Sequence, residues 1–208
     1  MLTSLVQTLP RFGFKRSDSQ GQTVANTTPG NIAVWILIYA ELSEFALFFI
    51  VFLIAKAHHP DTFSAGPARL NTLAGMLNTI VLVTSSYFIA KAVAAIKLGH
   101  KKTCLKWLYL TLFAGATYCG IKGWEYTWND ATGIHSRTDL FYSFYYYLTF
   151  NHLLHVLIGM STISWVILRT HFNTYSAHEH EGLESAAFYW HMIDLAWIII
   201  FPLVYVLR

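Results

Sequence analysis

Six ionisable side chains sit where an apolar environment would be expected, and they come in pairs three residues apart. Glu41 and Glu44 form the first pair, His152 and His155 the second, His191 and Asp194 the third. On a helix that spacing puts both members on one face. Carboxylates and imidazoles in such pairs could bind a metal, relay protons or simply hydrogen-bond across a helix interface. Paired His and carboxylate side chains on facing helices build di-metal centres, which combine Glu with Glu-x-x-His motifs. Here the patterns are Glu-x-x-Glu, His-x-x-His and His-x-x-Asp, a loose fit, and the histidine-dense boxes of membrane di-iron oxygenases are missing. A proton or ion path needs buried carboxyls poised by burial and nearby charge. A structural polar network needs only that each buried polar group finds a partner. Spacing alone leaves these three readings open, with the structural one ahead.

The surrounding sequence explains why such residues demand a reason. Of 208 residues, 55% are apolar and only 12% are charged, about half the charged share of an ordinary soluble domain. The apolar residues gather in five runs, about 32–55, 72–96, 105–128, 140–168 and 186–207. Each is long enough to cross roughly 30 Å of hydrocarbon as a helix. The fold class expected is therefore an all-α polytopic transmembrane bundle of about five spans. At 1.5 Å per residue, Glu41 and Glu44 lie about 14 and 18 Å into the first run. A charged group at the bilayer centre costs about 2.5–3.5 kcal/mol on insertion scales, so Glu44, His152 and His191 are expected to face the bundle interior. Phe48, Phe49 and Phe52 are expected to meet lipid.

Further polar or small residues extend the stripes. The second run carries Asn71, Gly75, Asn78 and Ser85, the fourth continues through Gly159 and Thr162, and the fifth reaches back to Glu184. Small and polar residues on one face suit helix–helix contact in lipid. Lys122 and Glu125 fall near the outer end of the third run, where snorkelling or a local ion pair accounts for them. His178-Glu179-His180-Glu181 reads as a solvated charge run in a loop. Cys104 and Cys119 lack metal or redox spacing and read as packing residues.

Pro29-Gly30-Asn31, His58-His59-Pro60-Asp61, Gly66-Pro67, Gly99 and Gly133 punctuate the runs. Residues 1–31 are polar and read as a disordered cytoplasmic tail, leaving 32–208 as one transmembrane domain. With the N-terminus inside, eight Lys and Arg residues flank the inner ends against four outside, which favours an inside N-terminus and an outside C-terminus. The net charge of +3 is read as this topology signal and not as a nucleic-acid surface. The sequence contains no P-loop, dinucleotide-binding glycine pattern, nucleophile triad or covalent haem motif.

The order of these features resembles the subunit III family of haem-copper oxidases. GLESAAFYWHMIDLAWIIIFPLVYVL from Gly182 is similar to that family's last helix, at Glu184, Tyr189, Trp190, His191, Asp194 and Trp197. TFNHLLHVLIGM from Thr149 is similar to its paired-histidine helix, at His152, His155 and Gly159. LSEFALFF from Leu42 matches the helix bearing the family's carbodiimide-reactive glutamate, which falls on Glu44. Leu77-Asn78-Thr79 and Glu125-Tyr126 are also family-like. Longer members have seven helices, and this chain has room for five, so the phospholipid held beside the two further helices in those members is in doubt here.

The resemblance implies an accessory subunit with no catalytic centre, cofactor or metal of its own. Haem and copper belong to the partner catalytic subunit I. Other oxidase or reductase subunits and membrane lipid are the further partners implied, in a bacterial inner membrane. The resemblance also implies support for assembly, sustained turnover and proton uptake of the neighbour during oxygen reduction. The residues expected to carry a buried functional or structural network are Glu41, Glu44, Asn78, Glu125, His152, His155, Glu184, His191 and Asp194, with His152 and His191 as partners for Glu44. Two alternatives stand beside this reading: a NorE-type accessory of nitric oxide reductase, and a free-standing membrane metalloenzyme.

Overall fold

The structure is a computed structural model that describes residues 31–177 and 179–207, together with the backbone of Lys15–Ser17 (β1) and Thr23–Ala25 (β2). The two short strands pair antiparallel, with Lys15 opposite Ala25. The rest of the tail expected over 1–31, and His178 of the loop charge run, lie outside the described residues.

The helices are α1 (Ile32–His58), α2 (Pro60–Ala65), α3 (Thr72–Lys97), α4 (Lys101–Ala131), α5 (Leu140–His171) and α6 (Glu181–Phe201). Side chains cap three of the long ones: Asn31 accepts from Ala33 N, Asn71 from Ala74 N and Asp139 from Tyr142 N. Each thereby satisfies one of the bare amides of a first turn. Gly99 and Gly133, at φ +74° and +73°, close α3 and α4 in the left-handed region where a Cβ is penalised. After α6 the chain loosens into a π-helical turn, Pro202–Val206. Proline has no amide hydrogen for the regular helical bond, and the turn closes instead with Leu207 N donating to Pro202 O at 2.9 Å.

Four helices, α1, α3, α5 and α6 with its turn, are long and apolar enough to cross a membrane. Helix α4 is not apolar enough by composition, because it carries Lys122, Glu125 and Asn129, all fully buried. Its 31 residues make it about 46 Å long. It doubles back along α3 after a three-residue turn and lies between α3 and α5. Packing, rather than hydropathy, carries it through the bundle.

Helix α6 is the centre of the bundle. It packs on α3, α5 and α1, and 61% of its apolar window is buried, against 17% for α1. Trp190 and Trp197 of α6 are fully buried. Glycines make room for Trp190: a Cβ at Gly159 would stand 2.7 Å from Ile193 Cδ1 and 3.0 Å from the Trp190 ring, and one at Gly115 3.0 Å from Trp190. In lipid, where apolar exposure carries no penalty, such close approach is a main source of helix association.

Helix α1 is the peripheral member, strapped at both ends. Asn31 N donates to Ser185 Oγ at one end, and Lys56 Nζ donates to Leu207 O at the other. Near its C-terminal end, Phe52 packs edge-on against Phe63 of α2 and Phe144 of α5, with centroids 5.1 and 5.8 Å apart. This corrects one expectation: Phe52 is 1% exposed, and Phe48 and Phe49 are half-buried. The turn through α2 brings Phe63 back over the end of α1 and draws that aromatic face inward.

Candidate functional site

The most tightly built polar site lies between α4, α5 and the C-terminal turn. Lys122 and Glu125 are both fully buried and form a 3.1 Å ion pair. Lys122 Nζ also donates to Tyr205 Oη at 2.7 Å and Tyr145 Oη at 3.4 Å, so its three hydrogens are accounted for. Glu125 Oε1 in turn accepts from Tyr145 at 2.8 Å and from Tyr205 at 2.6 Å. Asn129 Nδ2 donates to Tyr145 Oη at 3.1 Å. Three rings, those of Tyr126, Tyr145 and Trp197, lie 4.9–5.3 Å from the ammonium, where their electron density replaces lost hydration. Of the two accounts expected of Lys122, the local ion pair with Glu125 holds and snorkelling does not. The ammonium does not reach for the surface, because phenols and a carboxylate solvate it in place.

One helical turn further along α4, Tyr118 Oη lies 2.9 Å from His152 Nδ1, and His152 Nε2 lies 3.1 Å from Ile193 O. Both ring nitrogens are thus engaged, and the imidazole is wedged against Trp197 at 5.0 Å. His155, one turn on, places Nδ1 2.8 Å from Asn151 O and Nε2 2.7 Å from Glu41 Oε2. This pair ties α1 to α5. Glu41 also lines a groove of about 330 Å³ between α1, α5 and α6, together with Val34, Leu37, Thr162 and Tyr189.

Glu44 departs from expectation. It is exposed at the edge of the α1–α5 contact, with its carboxylate accepting from Asn151 Nδ2 of α5 at 3.1 Å. Its neighbour Phe45, 1% exposed, takes the inward position against His155. A single helical step of 100° separates the two directions. The partners expected for Glu44 are committed elsewhere: His152 to Tyr118, and His191 to Ser86.

The seam between α3 and α6 holds the remaining groups. Trp190 Nε1 donates to Ser85 Oγ at 2.8 Å and Trp197 Nε1 to Thr79 Oγ1 at 3.0 Å. Half-buried His191 lies 2.6 Å, through Nδ1, from Ser86 Oγ. Asp194 of α6 is buried beside Ser86, and Asn78 of α3 is fully buried. Glu184 sits apart at the start of α6, paired with Lys97 at 2.7 Å and near His180 at 3.4 Å.

The nine expected residues consequently occupy several separate places rather than one network: the α4 cage, the α1–α5 pair, the exposed α1–α5 edge, the α3–α6 seam and the helix-end ion pair. Among the described residues no group of three or more His, Cys, Asp or Glu is placed to hold a metal ion. The arrangement can hold register between helices, keep a charge pair dry and leave one carboxylate exposed. The residues that sequence reasoning missed are the phenols and amides that complete these sites: Tyr118, Tyr145, Tyr205, Asn129 and Asn151. Their spacing to the ionisable groups, such as 83 residues from Lys122 to Tyr205, carries no local signal.

A family model described as cytochrome c oxidase subunit III matches residues 16–208. The chain is 31% identical over 177 residues to a cytochrome c oxidase subunit 3 of Thermostichus vulcanus, covering 85% of this chain and 86% of that one. It is 34% identical over 175 residues to a cytochrome c oxidase subunit 3 of Synechocystis sp., covering 84% and 74% respectively. A probable cytochrome c oxidase subunit 3 of Nocardia farcinica is 28% identical over 182 residues, with 86% and 90% covered.

Proposed function

Since the chain belongs to the cytochrome c oxidase subunit III family and is thereby an accessory membrane subunit of a haem-copper oxidase, we propose that it supports its catalytic neighbour from the perimeter inward. Haem and copper reside in that neighbour, the complex reduces oxygen, and this chain stabilises the assembly and assists proton uptake in a bacterial inner membrane. The oxidase names carried by its relatives favour this over an accessory of nitric oxide reductase.

The observation that carries the reading is the division of polar groups. Lys122, Glu125 and His152 are buried and consumed in internal contacts, whereas Glu44 stays exposed at the α1–α5 edge with one amide contact, from Asn151. A lipid-facing carboxylate is costly, so Glu44 belongs against a neighbouring subunit or a polar headgroup drawn down to it. As a proton-exchanging group it serves what lies beside the bundle. The groove edged by Glu41 suits a phospholipid chain, being apolar apart from that carboxylate, Thr162 and Ser185. Lys97, Lys101, Lys102 and Lys106 gather about the α3–α4 turn, which supports an orientation with that end cytoplasmic, the N-terminus inside and the C-terminus outside.

Purification from native membranes in mild detergent tests the reading. The tagged chain is expected to bring with it a haem-bearing subunit that consumes oxygen. Isolation of the chain alone with stoichiometric iron, or with a partner that consumes nitric oxide but not oxygen, would overturn it.

A further inference from the structure

Ser86 breaks the habit of the other hydroxyls on α3. Thr79, Thr84 and Ser85 each donate back to a carbonyl of their own helix, at Gly75, Ile80 and Leu82, the usual resting place of a helical hydroxyl. Ser86 instead turns to α6. Its Oγ lies 2.6 Å from His191 Nδ1, and Asp194 is its second side-chain neighbour.

The helix geometry explains how one hydroxyl meets both groups. His191 and Asp194 are one turn apart on the same face of α6. The Trp190–Ser85 and Trp197–Thr79 hydrogen bonds fix the antiparallel register of α6 on α3. That register lays His191 beside Ser86 and Asp194 near the level of Leu82, one turn away. Side chains slope toward the start of their own helix, so in antiparallel neighbours Ser86 and Asp194 lean toward each other. Asp194 is buried, whereas Ser86 and His191 are half-buried. The hydroxyl therefore links an enclosed carboxyl to an imidazole at the bundle's edge.

No other charge competes for the link. Among the described residues neither His191 nor Asp194 has an ion-pair partner, and the Asp194 oxygens meet no other donor. On α3, Lys97 is held by Glu184 and Lys91 lies over the Tyr87 ring. On α1, Glu41 is paired with His155 of α5, and on α4 Lys122 is paired with Glu125.

A serine hydroxyl has one hydrogen to give and can also accept, so the states of its two neighbours are coupled. While Asp194 is a carboxylate, Ser86 donates to it and accepts from His191, whose ring hydrogen then sits on Nδ1. When a Brønsted acid at the bundle's edge delivers a proton to Nε2, the Nδ1 hydrogen passes to Ser86 Oγ as the Ser86 hydrogen passes to Asp194. Asp194 ends as a carboxylic acid, Ser86 is regenerated, and the imidazole is neutral again with its hydrogen on Nε2. We propose that Ser86 relays a proton between His191 and Asp194, making Asp194 a buried proton store loaded and emptied through the imidazole. This store is separate from Glu44 and does not depend on the function proposed above.

The chain purified with its native partners and labelled with nitrogen-15 histidine tests this. Ring signals lost in His191→Gln identify His191, and the carboxylic C=O band lost in Asp194→Asn identifies Asp194 in the infrared. In wild type the His191 hydrogen is expected to move from Nδ1 to Nε2 over the same pH interval in which the Asp194 band grows. In Asp194→Asn the ring should keep one tautomer across that interval. In Ser86→Ala the ring should cease to follow the carboxyl, and Ser86→Thr, which keeps the hydroxyl, should restore the coupling. A His191 tautomer that stays fixed while Asp194 titrates, an Asp194 that does not titrate, or a Ser86→Ala variant that behaves as wild type would overturn the relay. Should Ser86→Ala fail to fold, wild type against Asp194→Asn decides, since a merely structural hydrogen bond would not move the ring hydrogen.

Discussion

Tyr205 donates a 2.6 Å hydrogen bond to Oε1 of Glu125, 80 residues earlier in the chain. Through that bond the C-terminal π-helical turn is fastened to α4, and Tyr145 brings α5 to the same oxygen at 2.8 Å. One carboxylate, neutralised by Lys122, thus sets the register of three elements. The arrangement also explains why a helix with a mid-span ammonium is tolerated, since every donor and acceptor of the pair is matched inside the bundle.

Removing one member of that pair leaves the other charge buried and bare. Lys122→Met or Glu125→Ala is expected to cost about 3–5 kcal/mol. Combining Lys122→Met with Glu125→Gln is expected to recover most of the loss. Thermal unfolding in detergent, read by circular dichroism, measures both, and equal damage in the single and double variants would contradict the mutual dependence.

Glu44 is exposed, and a glutamine carbonyl can still accept from Asn151 Nδ2, so Glu44→Gln should leave the bundle itself intact. Glu44→Gln is expected to keep the melting temperature of the isolated chain unchanged while the assembled oxidase loses activity sooner during turnover. Time courses of oxygen consumption measure the second effect. Identical lifetimes in wild type and variant would remove Glu44 from any supporting role.

His155 and Glu41 join α1 to α5 midway along α1, between its two end contacts. Glu41→Gln retains an acceptor and is expected to change little, whereas His155→Phe strands a partly buried carboxylate. For a buried hydrogen bond to a charged group the loss is about 1–3 kcal/mol. Hydrogen exchange should report it as faster opening of α1 with α3–α6 unaffected. Uniform loosening of all helices would show that the pair does not act on α1 alone.

Gly159 lets α5 lie against Trp190 and Ile193. Gly159→Ala is expected to destabilise by about 1–3 kcal/mol as an overpacking change, because the Ile193 methyl can swing aside but the indole cannot. Gly159→Leu should separate the helices and abolish folding in detergent. By contrast, a Cβ at Gly120 meets nothing within 4 Å, and Gly120→Ala should be neutral or slightly stabilising.

The positions of the long helices were legible in the chain itself. The lengths of the apolar runs, Asn and Asp caps and glycine stops are local properties, and α3 observed at Thr72–Lys97 against 72–96 expected shows how far they reach. The family resemblance was legible too, through motifs in order along the chain. Facing was not. Helix α1 is apolar nearly all round, so no amphipathic stripe marks its inner side, and the choice between Phe45 and Glu44 fell to the Phe52–Phe63–Phe144 cluster and the end contacts.

What the sequence by itself determined is thus a bundle of long apolar helices and its family. What only the tertiary structure decided is which residues meet. Lys122 reads as a surface residue until Tyr145 and Tyr205, 23 and 83 residues away, close around it. Partner choice depends on helix rotation and register, set by the packing of Trp190 against Gly115 and Gly159 and of Trp197 against Tyr118 and His152, and no local stretch of sequence encodes that relation.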